Sequence, residues 1–72
     1  MPKLPNLRTI RERHALSQDE LAQRAGVVQH TISRIENGQA AQHATARKLA
    51  AALDVTPEQL QAMTVNDAPA SA

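Results

Sequence analysis

Two four-residue segments, Ser17-Gln-Asp-Glu20 and Thr56-Pro-Glu-Gln59, fix where this chain starts helices. In each, a hydroxyl can accept from the backbone N–H three residues on, and the side chain at that third position can reach back to the N–H of the hydroxyl residue. Pro57 adds a second start signal, because the first helical position has no use for an N–H. Asn6 can cap an earlier helix over about 6 to 14, with Leu7 and Ile10 on one face and Arg11 and His14 following at helical spacing. From Ser17 a second helix buries Leu21, Ala22 and Ala25, and it ends at Gly26, where a left-handed residue carries no Cβ penalty. A third runs from about Gln29 to Asn37, turning Ile32 and Ile35 inward and Gln29, His30, Ser33 and Arg34 outward, and Gly38 stops it. After a short loop over 39–42, a fourth reaches Leu53 with Leu49, Ala50 and Leu53 at packing spacing, and a fifth carries Leu60 and Met63. No strand pattern or internal repeat is visible. The pattern predicts a compact all-α domain of five short helices over residues 1–63, followed by a flexible, apolar-poor tail over 64–72.

The core of such a domain must be built without rings. Fourteen of the 30 hydrophobic residues are alanine, and Phe, Tyr and Trp are absent, a composition that suits helices with close backbones. A chain of 72 residues buries only roughly 60% of its unfolded surface. Lack of aromatics removes the platforms on which single-stranded bases stack. Lack of cysteine excludes disulfide scaffolds, zinc knuckles and thiol chemistry. His14, His30 and His43 fall on different helices and loops, and no Gly-rich phosphate loop is present, so neither an enzyme nor a bound metal or cofactor is expected. No apolar run approaches the ~18 residues of a membrane span, and MPKLPNL lacks the apolar stretch of a signal peptide. A soluble, cytoplasmic protein is the expectation.

The net charge of +1 conceals a gradient. Residues 1–48 hold all eight basic side chains against four acidic ones, a balance of +4, whereas residues 49–72 carry three acidic groups and no basic one. A basic front part is what a polyanion partner requires, although ordinary solvated charge gives the same balance.

The second and third helices meet the demands of a helix-turn-helix at the correct mutual spacing. Ala22 is small where the third helix must cross the second, Gly26 tolerates the turn, and Val27 plugs the core behind it. Ile32 and Ile35 anchor the third helix so that its far face protrudes. The unpaired N–H groups at the start of the second helix favour an anion.

The segment LSQDELAQRAGVVQHTISRIENG, Leu16 to Gly38, resembles the helix-turn-helix of the Cro/repressor, or XRE, family of phage and bacterial transcription regulators. The likeness continues through LRTIRERH before it and TARKLAAALDVTPEQL, Thr45 to Leu60, after it. The resemblance implies a five-helix, lambda-repressor-like fold. It also implies a sequence-specific regulator of double-stranded DNA that acts as a repressor, binding a palindromic operator as a homodimer with its third helix in the major groove.

Carried onto this chain, the resemblance gives Gln18 two roles, bonding a DNA phosphate and bracing the first base-reading side chain. Gln29 and His30 match the positions from which the family reads bases, and a Gln amide can bond adenine N6 and N7 together. His30 can donate to guanine or phosphate, where protonation would make the contact pH-sensitive, or it can stand as a surface histidine without a partner. Arg34 can reach guanine O6 and N7 or a phosphate, Ser33 a base edge or phosphate, and Thr31 the backbone. Arg11 and Glu36 match positions that pair in some members, joining the first helix to the end of the third. Asn37 and Gly38 match positions whose backbone N–H groups meet phosphate. Leu60, Met63 and Val65 are the expected dimer contact, with the loop before the fourth helix as the other option.

Three departures stand out. Val28 occupies a cap position where the family commonly has Ser or Thr, so about 1 kcal/mol of capping is absent. The loop after Gly38 lacks the Lys, Arg and Pro frequent there, and Asp54 replaces a common Gly at the end of the fourth helix. The rival expectation is a regulator that binds a protein, such as an antitoxin that neutralises a toxin. An apolar surface beyond the five-helix core would mark it.

Overall fold

A computed structural model of the chain describes residues 1–62. It contains α1 (Leu7–Arg13), α2 (Gln18–Ala25), α3 (Gln29–Glu36), α4 (His43–Ala52) and α5 (Pro57–Gln61), with no strand among the described residues. The fold is all-α and lambda-repressor-like. Met63, Val65 and the segment 64–72 lie outside the described residues.

Both predicted capping boxes form. Ser17 accepts from the Glu20 N–H while the Glu20 carboxylate accepts from the Ser17 N–H, and Thr56 and Gln59 repeat the arrangement at the start of α5. Gly26 ends α2 at φ 74° and ψ 32°, and its N–H and that of Val27 both donate to the Ala22 carbonyl. Open space surrounds the position, so the backbone angle rather than crowding asks for glycine there. Asp54 follows α4 at φ 57°, as its place in the sequence suggests. Ala15 stands at φ 56° between α1 and α2, a strained conformation that no residue-type signal announces.

Asn6 does something other than the expected capping. Its backbone is already helical at φ −95° and ψ −1°, and its side chain makes no cap bond to α1. Instead Nδ2 donates to the Gln59 carbonyl at 2.9 Å and the Asn6 N–H to the Leu60 carbonyl at 3.1 Å. These carbonyls close α5 and have no partner within the helix, so they claim both donors of Asn6. Asn6 is buried by this contact and ties the start of the chain to its last helix.

The core gathers Leu7 and Ile10 from α1, Leu21 and Ala22 from α2, Ile32 and Ile35 from α3, Ala46, Leu49 and Ala50 from α4, and Leu60 from α5. Leu4, Leu16, Ala41 and Leu53 join from outside the helices, and Val27 and Ala25 pack against the cluster half-buried. Each wholly buried Leu or Ile contributes about 1.5–3 kcal/mol relative to its exposed state. α2 packs on α3 and α4, α4 on α5, and α1 closes the far side against α3 and α5. Leu60, expected at a dimer contact, is 0% exposed and fills this core, so its side chain is not on any surface.

Candidate nucleic-acid interface

The crossing of α2 and α3 brings their first residues together. Gln18 is the first residue of α2 and Gln29 the first of α3, and Nε2 of Gln29 donates to Oε1 of Gln18 at 2.7 Å. Nε2 of Gln18 in turn donates to Oε1 of Glu36 at 2.9 Å. Glu36 sits at the other end of α3, one side turned toward α2 and the other toward α1. There Arg11 donates Nε to Oε2 at 2.7 Å and Nη2 to Oε1 at 3.1 Å, while its Nη1 donates to the Leu16 carbonyl at 2.7 Å. The side chains of Arg11 and Glu36 are 10% and 4% exposed. The bonds to Glu36 hold the Arg11 guanidinium above the ordinary arginine range, against the opposing effect of burial. Four residues from three helices thus form one chain of hydrogen bonds ending at an exposed amide, Gln29.

The rest of the outward face of α3 is sparsely bonded. His30 is exposed, and its imidazole has no hydrogen-bond partner among the described residues. Arg34 is exposed and held from one edge, because Nε and Nη2 both donate to Oε1 of Gln39, at 3.1 and 2.9 Å. Its Nη1 makes no hydrogen bond among the described residues. Thr31 and Ser33 are half-buried beside them. An open cleft of about 280 Å³ beside them is lined by Met1, Thr31, Arg34, Gln39, Gln42 and Thr45 among others.

Two residues differ from expectation. The N–H of Asn37 donates to the Ser33 and Arg34 carbonyls, and that of Gly38 to Ile35, because the last turn of α3 tightens on itself. Neither N–H is free for phosphate, which leaves only the exposed side chain of Asn37. Gln39 carries no signal in the sequence, because nothing in a lone loop glutamine marks it. Its role arises only because the turn at Gly38, φ 103°, folds it back against Arg34. Val28, as expected, makes no cap bond, so the first N–H groups of α3 lack a side-chain partner.

Two short helices joined through a left-handed glycine, with the second presenting a polar face beside the start of the first, define a helix-turn-helix DNA-binding module. The chain belongs to the helix-turn-helix family in its XRE form, whose profile matches residues 7–60. No match is found among curated proteins. Membership makes the protein a DNA-binding transcriptional regulator with DNA as its partner. No helix among the described residues is long and apolar enough to cross a membrane.

Proposed function

We infer that the protein is a sequence-specific repressor that inserts α3 into the major groove of a palindromic operator as a homodimer. The observation that carries this reading is the Gln18–Gln29 bond at the shared entrance of α2 and α3. It holds an exposed amide beside the electropositive starts of both helices, where a phosphate is attracted and a base edge lies within reach. Gln29 reads the base, Gln18 braces it and meets the backbone phosphate, and His30, Thr31, Ser33, Arg34 and Asn37 supply further base and backbone contacts. Arg11 and Glu36 hold this face to the scaffold.

Two copies are needed because one copy covers too little. An eight-residue α3 is about 12 Å long and so spans about four base steps. Two such helices spaced ~34 Å apart on one face of the duplex give a site of useful length. With Leu60 in the core, the dimer contact falls to Met63, Val65 or the loop before α4.

Selection of bound sequences from random duplexes tests the reading. The expected product is a palindrome in which Gln29→Ala erases preference at one base pair per half-site and weakens binding by ~1–3 kcal/mol. Amide shift changes on adding that duplex should cluster within residues 28–38. An unchanged preference in Gln29→Ala, or stoichiometric recovery of a protein with no duplex binding at low salt, contradicts it and favours a protein-binding role.

A further inference from the structure

We propose that Glu36 determines which base Gln29 reads, by fixing the direction in which two glutamine amides are turned, a step that rests on Gln29 being the base-contacting residue. A glutamine amide has one accepting end and one donating end of nearly the same shape, and only its bonded neighbours decide which way it faces.

The deciding neighbour is a group that cannot donate. The Glu36 carboxylate accepts from Arg11 through both oxygens, and Oε1 also accepts from Gln18. Arg11 offers only donors, and the pair is too buried for solvent to supply an alternative partner. Gln18 must therefore meet Glu36 with Nε2, which turns its Oε1 toward α3. Gln29 must then meet Gln18 with its own Nε2. The direction set by one carboxylate passes along the chain, and Gln29 is left with Oε1 and its second Nε2 hydrogen facing outward. One acceptor beside one donor is the complement of adenine, which shows N6–H and N7 in the major groove. A reversed chain would engage Oε1 of Gln29 and present both Nε2 hydrogens, the complement of guanine O6 and N7.

Glu36 is thus a positioning residue acting through Gln18, and the Arg11–Glu36 pair does more than join α1 to α3. Glu36→Gln tests this because an amide at position 36 that keeps its oxygen on the shorter Arg11 Nε bond gives up the Nη2 bond and places its nitrogen where Oε1 stood, donating to Gln18 and reversing the chain. Selection and competition titrations on the full chain, with folding followed by circular dichroism, compare the wild type with four variants. Gln29→Ala locates the base pair that Gln29 controls. There the wild type should prefer adenine, and Glu36→Gln should shift preference toward guanine by on the order of tenfold.

Arg11→Lys keeps the carboxylate charged while losing the bond to Leu16, so it should lower stability yet retain adenine. Gln18→Met, at a half-buried position that an unbranched apolar side chain of similar length can fill, cuts the chain and should leave adenine and guanine bound within about threefold of each other, even if Glu36→Gln does not fold. Retention of adenine by folded Glu36→Gln or by Gln18→Met overturns the proposal. So does an equal loss of preference in Arg11→Lys and Glu36→Gln, which would reduce the pair to packing. If Gln29→Ala instead changes no preference anywhere, it is the assignment of Gln29 as reader that fails.

Discussion

An amide at position 6 supplies what a carboxylate cannot. Asn6 closes α5 with two donors, and its side-chain share is the Nδ2 bond to the Gln59 carbonyl. Asn6→Asp keeps the size but replaces that donor with an acceptor aimed at another acceptor. It should cost ~1–3 kcal/mol, seen as a lower denaturation midpoint at unchanged slope. The residue type was legible as a cap, but the helix it serves was not, because its partner lies 53 residues along the chain. Glu20 answers to protonation instead. The Ser17 N–H donating to its carboxylate, with the Ser17 side chain as the second cause, holds its pKa below the ordinary 4.5. The folded value lies below the unfolded one, so the stabilisation is present above about 4.5 and is lost as pH falls through the folded value. Glu20→Gln keeps a reciprocal cap without the charge. The difference in thermal midpoint between wild type and Glu20→Gln should therefore shrink between about pH 6 and pH 3. A difference independent of pH contradicts the assignment.

Helix boundaries were legible wherever a local device sets them. Both capping boxes, the left-handed Gly26 and Asp54, and the uncapped start at Val28 all stand as the sequence suggested. What local devices could not reveal is the tertiary share of the work. Leu4, Leu16 and Ala41 are buried from non-helical positions, where no 3.6-residue period exists to mark an inward face. His14 likewise follows the apolar positions of α1 at helical spacing, yet its ring lies against the end of α4, where Nε2 donates to the Leu53 carbonyl at 2.8 Å. Val28 offers the clearest element-scale test. Its backbone, φ −83° and ψ 148°, already has the extended geometry of a capping residue, and its side chain is 66% exposed. Val28→Ser should therefore raise stability by about 1 kcal/mol, measured by chemical denaturation, because a hydroxyl gains a backbone N–H and no core contact is lost. No gain would mean that the start of α3 is satisfied by other means.

At the scale of the whole molecule, the candidate interface is a product of packing as much as of α3. Gln18, Gln29 and Glu36 were each legible as site residues from the family pattern, yet their connection into one chain required α1 and α2 to deliver Arg11 and Gln18 to the same carboxylate. Charge is organised on the same scale. The eight basic side chains all fall within residues 1–48, the stretch that holds α1 to α3 and the start of α4, while the balance of the remainder is acidic. If this distribution serves a duplex, part of the affinity comes from releasing counterions from phosphates, and log affinity should fall linearly with log salt by roughly 0.9 for each phosphate neutralised. Arg34→Gln separates the two uses of charge. Should Arg34 hold a phosphate, the slope falls by about one phosphate's share and all sequences weaken alike; should it bond a guanine, preference at one base pair relaxes as well. Fluorescence anisotropy across a salt series, on selected and scrambled duplexes, distinguishes these outcomes. Binding that does not respond to salt would mean that no phosphate is engaged and that α3 does not enter a groove.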